Sequence, residues 1–363
     1  MSLQIGSVSE LNLDSARVPG FYAANWQRKI ALSNEEFYRW QFMSLPRAPG
    51  IDSCVVAYDP ERDAIAGVMG LNPRPFHLGG KVVNGAELTT WVVAEAYRST
   101  GAGAKILGHI QSSYDALIGM GISAMALPVY MRSGFRYLAA IPRFVRVYDF
   151  DAVSAVAVVD SVAKKLARQW QDNTLPVPYS VREGIGDDVD ALFGRLASRY
   201  NLYARDAGHL RWRYEQHPIF RYRVFVVRPD AGAGAALVVL RQETAVSGLN
   251  LFHVTDCIGD EDAMPAAFAF IDDFCRQEGA HVADFYCTAA RVSKYPLSSG
   301  WFSTVDDGCF KFPHLFHPVE VRTPATTSLI YWAREDFTEM CDFSRLYVTK
   351  QDADFDRPVL KGE

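Results

Sequence analysis

Two nine-residue stretches constrain this chain more than any other feature. Residues 38–46 read YRWQFMSLP and residues 210–218 read LRWRYEQHP; both fit R-W-x-[FY]-x-x-x-P. Trp40 and Trp212 are 172 residues apart, about half of the 363-residue chain. The residues C-terminal to each stretch also match in kind. After Pro46 come an apolar run (CVVAYD), a turn (PERDA) and a second run (IAGVMGL). After Pro218 come RVFVVRPD, a Gly/Ala turn and ALVVLRQ. Each reads as strand, turn, strand. Further on, a helical pattern (AKILGHIQSSYDALIGMG) leads to a strand (ISAMALPV) and then YMRSGFRYL. The second half answers with MPAAFAFIDDFCRQEG, AHVADFYC and KYPLSSGWFSTV, and Gly134 and Gly300 fall at comparable places. Matches in register over this span point to tandem duplication.

The division falls between residues 150 and 178. Residues 1–150 form a first domain and 178–363 a second. Between them, 151–177 supply a stretch of helical period (VSAVAVVDSVAKKLARQW) and a Pro-containing polar linker (QDNTLPVP). The second domain opens with YSVREG and a helix, DDVDALFGRLASRY, whose acidic first turn suits the helix dipole.

Composition narrows the function class. Hydrophobic residues make up 49% and charged residues 22%, the balance of a globular protein. The net charge of −5 argues against nucleic acid or an anionic membrane as partner, since both reward a basic surface. Six cysteines without a C-x-x-C pair lack zinc-ribbon spacing and fit a reducing cytoplasm. No signal-peptide pattern opens the sequence, and no apolar stretch is long enough to span a bilayer.

One segment carries chemistry. Residues 86–108 read AELTTWVVAEAYRSTGAGAKILG. Thr89 to Val93 is β-branched or aromatic and reads as a strand. From Ala104 the pattern is helical, with Ile106, Leu107 and Ile110 on one face. Between them lies Arg98-Ser99-Thr100-Gly101-Ala102-Gly103. A glycine-containing turn opening a helix offers free N–H groups and the positive end of the dipole, a site for phosphate or pyrophosphate. The competing reading is a plain helix start with small packing residues. Neither dinucleotide-loop spacing, G-x-G-x-x-G or G-x-x-x-x-G-K-[ST], is present.

The segment resembles the hallmark of the GCN5-related N-acetyltransferase (GNAT) superfamily: a strand, a Y-R-x-x-G-x-G turn and a helix. Val93, Tyr97, Arg98, Gly101, Gly103, Ile106 and Leu107 match, while Glu95 and Ser99 stand where the family has Pro and Gly. A second family signature, a tyrosine four residues before Gly-Phe, is matched by Tyr130, Gly134 and Phe135. The resemblance implies an α/β fold of two tandem GNAT-like domains, each a mixed, mostly antiparallel sheet flanked by helices. It implies that acetyl-CoA or another acyl-CoA is the co-substrate. The pantetheine arm would lie along Trp91, Val92 and Val93. The pyrophosphate would sit over Arg98, Ser99, Thr100, Gly101, Ala102, Gly103 and Ala104.

The same resemblance makes Tyr130 a candidate proton donor to the departing thiolate, against a packing role. Glu87, on the same strand as Trp91, is a candidate base for the attacking amine. Strict alternation puts Glu87, Thr89 and Trp91 on one face, lining an acceptor pocket. His109 on the helix and His77 in a turn have weaker claims.

The second half lacks R-x-x-G-x-G, and VTDCIGDEDAMP puts acidic residues where a pyrophosphate would sit. It reads as a degenerate copy that binds no CoA and supplies acceptor surface, with Asp256 a candidate there. His253 reads as a satisfied core or rim histidine. His314 and His317 have metal-like spacing without partners, and Asp352, Asp354 and Asp356 lack the glycine and helix of a calcium loop, so no metal is expected. The tail SRLYVTKQDADFDRP resembles that of the nucleotide-sugar N-acyltransferases, which would have Lys350 and Arg357 meet a sugar diphosphate; the alternative is a solvated charged tail.

These readings converge on an N-acyltransferase from acyl-CoA to an amine, a nucleotide-linked amino sugar being one acceptor. The alternatives are a protein, peptide or small-molecule amine, or a CoA-binding module without turnover. A peptidoglycan-bridge ligase would need a basic groove. Oligomerisation is left open.

Overall fold

A computed structural model describes residues 2–26, 29–171, 176–245, 247–304, 309–312, 326–353 and 358. The first half begins with β1 (Gln4–Ser7), α1 (Arg17–Asn25) and α2 (Glu35–Met43). The hairpin strands β2 (Val55–Asp59), β3 (Ala64–Leu78) and β4 (Lys81–Val93) come next, then α3 (Ala102–Ser113), β5 (Ala116–Met120), α4 (Leu127–Arg132), β6 (Arg136–Leu138) and β7 (Arg143–Val147). The connection holds α5 (Phe150–Ser154), β8 (Val158–Val159) and α6 (Ser161–Gln171).

The second half repeats the order. It runs β9 (Tyr179–Glu183), α7 (Asp188–Ala197), β10 (Leu202–Tyr203), α8 (Ala207–Leu210) with a π turn at Arg211–Glu215, β11 (Arg223–Pro229), β12 (Ala236–Thr244), β13 (Asn250–Gly259) and α9 (Met264–Gln277). It continues with β14 (Val282–Tyr286), α10 (Ala290–Ser298), β15 (Phe302–Ser303), β16 (Phe310–Lys311), β17 (Leu329–Ala333) and α11 (Phe337–Met340). Gly134 and Gly300 both take positive φ, 85° and 80°, after α4 and α10.

The two halves exchange a strand. The first sheet has the order β1-β2-β3-β4-β5-β17-β6, with β10 also on β3; the second has β15-β7-β14-β13-β12-β11-β9. So β17 completes the first sheet and β7 completes the second. In each sheet a single pair is parallel, β4 with β5 and β13 with β14. All other ladders are antiparallel, as expected for a mixed, mostly antiparallel sheet flanked by helices.

Local sequence explains these elements. Asn34 caps α2 by accepting the Phe37 N–H at 2.9 Å. Glu35 and Glu36 sit in its positive first turn. Helix α3 buries Ile106, Leu107 and Ile110 on the first sheet, each worth about 1.5–3 kcal/mol on removal from water. The expected helical stretch 104–121 ends at Ser113, and β5 takes over. Ala116–Met120 has no polar side chain and is buried at all five positions, which suits a strand covered on both faces. The strand expected over 122–129 is absent; Pro128 instead stands in the first turn of α4, where a missing N–H costs nothing. His77, expected in a turn, lies in β3.

Candidate functional site

The parallel pairing of β4 with β5 lasts four residues, from Gly85–Ala116 to Leu88–Gly119. Beyond it the strands splay, and among the described residues no strand pairs with Thr89–Val93 on that side. On the other side β4 carries a bulge: Leu71 pairs with Leu88 and Met69 with Trp91, so Thr89 and Thr90 oppose Gly70. A Cβ on Gly70 would sit 2.2 Å from Thr89 Oγ1 and 2.6 Å from Phe42 Cζ. Only glycine fits there.

The bulge corrects the expected facing of β4. One extra residue inverts the alternation beyond it. Thr89 stays with Glu87 on the α2 side, whereas Trp91 and Val93 turn toward α3. Val92 packs into the core under α1 and α2. Trp91 lies over the start of α3: a Cβ on Gly103 would be 2.8 Å from its ring. Gly103 is therefore required by Trp91 packing as well as by the openness of the turn.

The turn itself has the expected form. Tyr97 anchors it, its hydroxyl donating to Asp59 Oδ2 at 2.9 Å. Thr100 Oγ1 donates to the Tyr97 carbonyl at 2.7 Å. Gly101 takes φ +75°, and α3 starts with no side-chain cap. The first helical bond is Lys105 N–H to Gly101 O, at 3.1 Å. The N–H groups of Ala102, Gly103 and Ala104 are thus the open donors of a twelve-residue helix. Arg98, Ser99, Gly101 and Ala104 are exposed around them.

Tyr130, on α4, is edge-on to Trp91 and to Phe135, with centroids 5.1 Å away in both cases. Its hydroxyl has no hydrogen-bond partner among the described residues. Burial pushes the phenol well above its ordinary pKa, so it keeps its proton.

Glu87 faces a pocket where the two halves meet. The pocket opens to solvent and is walled by Phe37, Trp40 and Gln41 of α2, Asn72 and Arg74 of β3, Trp212 and Arg213, and Gln351 and Ala353. Burial pushes the Glu87 carboxyl above its ordinary range; Arg74 and Arg213 pull it back, and Asp352 adds to the rise. Arg74 donates to Asp352 Oδ1 at 2.7 Å and to His209 Nε2 at 2.6 Å. Burial and the cations around it keep His209 neutral, as an acceptor must be. Asp352 also accepts from Arg205 at 2.6 Å. Of these residues, sequence reasoning found Glu87 alone. The repeat stretch held the signal for Trp40 and Trp212.

The second half keeps the framework and fills it. Val239 pairs with Asp256 and Leu240 with Val254, so Thr255 repeats the bulge. The parallel pairing again ends after four residues, at Val254–Phe285. Here the C-terminal segment enters. The Val348 N–H donates to Thr288 Oγ1 at 2.9 Å, and Thr288 N–H to the Val348 carbonyl at 3.2 Å. Tyr347 donates to Asp256 Oδ1 at 2.6 Å and accepts from the Cys257 N–H at 3.2 Å. The opening that stays unpaired in the first half is occupied by Tyr347 in the second.

Asp256 and Lys350, expected at an acceptor surface, are fully buried. Asp256 is bound by Tyr347 and by Arg205, the latter at 2.8 Å. Lys350 pairs with Asp284 at 2.5 Å and touches His253. Burial alone would raise the Asp284 carboxyl, but Lys350, His253 and Arg143 outweigh it and hold it well below its usual range. Both residues are consumed by core ion pairs, and the segment is no solvated tail as far as Ala353. His253 lies between Asp284 and Glu243, satisfied in the core. Arg357, His314 and His317 lie outside the described residues. Among the described residues no cluster of three His, Cys, Asp or Glu side chains is placed to hold a metal, and no helix is long and apolar enough to cross a membrane.

No family model matches the sequence, and no curated protein matches it. Solved structures do. A GCN5-related N-acetyltransferase from Anabaena variabilis aligns with TM-score 0.55 at 11% identity, over 90% of this chain and 72% of that one. Saccharomyces cerevisiae N-myristoyltransferase with bound myristoyl-CoA aligns with TM-score 0.51 at 13% identity, over 92% and 79%. A GCN5-related N-acetyltransferase from Kribbella flavida gives 0.50 at 16%, over 92% and 71%. At these identities the likeness is one of fold: the chain shares the fold of these N-acetyltransferases and of the N-myristoyltransferase.

Proposed function

We propose that the chain is an N-acyltransferase that takes an acyl group from acyl-CoA and passes it to an amine. One observation carries this reading: the splayed β4/β5 edge stands beside the uncapped start of α3 in the first half, and Tyr347 fills its counterpart in the second. Pantetheine amides would pair with the free edge of Thr89–Val93. The pyrophosphate would meet the N–H groups of Ala102, Gly103 and Ala104, with Arg98 alongside.

The acceptor enters from the Glu87 side of β4. Glu87, directly or through a water, takes the proton of the attacking amine, a task its raised pKa suits. The nitrogen bonds to the acyl carbon, and strand N–H groups stabilise the oxyanion. The C–S bond then breaks, and Tyr130 on the opposite face protonates the thiolate. Donor and acceptor meet at the splay, reached from both faces of the sheet.

The nucleotide-sugar acceptor came from the resemblance of the tail and of residues 211–218, with Lys350 and Arg357 as the diphosphate contacts. Lys350 lies in the core, so the reading proposed is the broader one, an amine acceptor. A thiol-release assay over acyl-CoAs, with and without amines, tests it. Release that depends on both supports transfer; tight binding without amine-dependent release would leave only a CoA-binding module.

A further inference from the structure

The pocket beside Glu87 is built from both halves, and its wall is unfinished in a specific way. Gln41 Nε2, Asn72 Oδ1, Arg74 Nε and both amide atoms of Gln351 have no hydrogen-bond partner among the described residues. All four side chains line the pocket and are at most 6% exposed. Buried polar atoms are ordinarily paired, so a set of them around one pocket marks bonds that a ligand completes. The set holds both donors and acceptors, which suits hydroxyl groups, since each hydroxyl both donates and accepts.

Charge narrows the occupant further. Arg74 is neutralised by Asp352 at 2.7 Å. Arg213 lines the pocket with Glu87 and draws its carboxyl toward the charged form, and the neighbouring Arg47 is paired with Asp206 at 2.9 Å. Among the described residues around the pocket, no surplus cation is left for a phosphate or carboxylate, and no surplus anion for a polyamine. The Trp40 and Trp212 rings, which also line the pocket, offer an apolar face for a ring or carbon skeleton.

We propose that the acceptor is a small, hydroxyl-bearing primary amine without phosphate or carboxylate, its hydroxyls on Gln41, Asn72, Arg74 and Gln351 and its nitrogen at Glu87. This rests on the acyl-transfer reading above. In the reaction the nitrogen gains the acyl carbon, the C–S bond breaks, and the amine proton leaves through Glu87 while the thiol departs protonated.

The test has two parts. Acyl-CoA binding to the full chain is measured first by calorimetry; its absence would overturn the underlying reading. Steady-state thiol release is then compared for amino alcohols and free amino sugars, polyamines, amino acids, peptide N-termini and nucleoside-diphosphate amines. Hydroxylated amines are expected to lead in kcat/KM by about tenfold or more, because a site built to hydrogen-bond a hydroxyl rejects analogues lacking it. A lead for any other class overturns the proposal while leaving acyl transfer intact. Gln351→Leu should raise KM for the best acceptor by about tenfold, one lost hydrogen bond's worth, with acyl-CoA affinity unchanged. An unchanged KM contradicts the placement. If that variant does not fold, the wild-type comparison decides alone.

Discussion

Trp40 and Trp212 stack with centroids 5.4 Å apart and planes 19° from parallel. Each indole N–H donates to the other residue's backbone carbonyl, at 3.3 and 3.0 Å. The repeated motif thus meets itself across a pseudo-two-fold axis, next to the pocket that holds Glu87. Because the two rings stack on each other, and either truncation removes that contact, Trp40→Ala and Trp212→Ala should not be additive. A double-mutant cycle by denaturant unfolding is expected to give a coupling of about 0.5–3 kcal/mol. Additivity would mean that the halves dock without help from this pair.

Glu87→Gln should separate function from stability. The folded Glu87 carboxyl titrates above the ordinary glutamate range because it is buried, so folding favours its protonated form. Stability is therefore lost as pH rises through the unfolded and then the folded pKa, and Gln escapes that loss. The variant should melt a few degrees higher at neutral pH and no higher in acid. Turnover should fall by about 10²–10⁴-fold, the range for a lost general base. The wild-type rise of kcat with pH across the raised pKa should flatten.

Ala104→Asp places a carboxylate in the first turn of α3. It favours the helix dipole by about 0.3–1 kcal/mol and repels a pyrophosphate. Melting temperature should hold or rise while acyl-CoA affinity falls. Affinity that is untouched would remove the phosphate from this turn.

Tyr130→Phe keeps the ring between Trp91 and Phe135 and removes the hydroxyl. Stability and acyl-CoA affinity should change little. The turnover number should drop by about 10²-fold or more if the hydroxyl protonates the thiolate, and an unchanged kcat would assign Tyr130 to packing.

The duplication, the hairpins and the strand–turn–helix segment were legible because each depends on local pattern. The exchange of β7 and β17 was not. Both are short strands from equivalent places, and the arginines of β7, Arg143 and Arg146, show their purpose only through Asp284 and Asp272, more than a hundred residues on. The face of Trp91 was misread because alternation assumes an unbroken ladder. Gly70, a glycine inside a strand, was the available sign of the bulge. The tail misled for another reason: its charges read as meeting a sugar diphosphate or else solvent, yet Lys350 finds Asp284 66 residues away and Asp352 finds Arg74 278 away. Long-range ion pairs leave no local trace.

The stoichiometry of acyl-CoA binding tests the central claim most directly. Calorimetry on the whole chain should give one site per chain, weakened by Ala104→Asp and unaffected by Tyr347→Phe, which leaves the second opening filled. No binding, two equivalent sites, or one site indifferent to Ala104→Asp would contradict it.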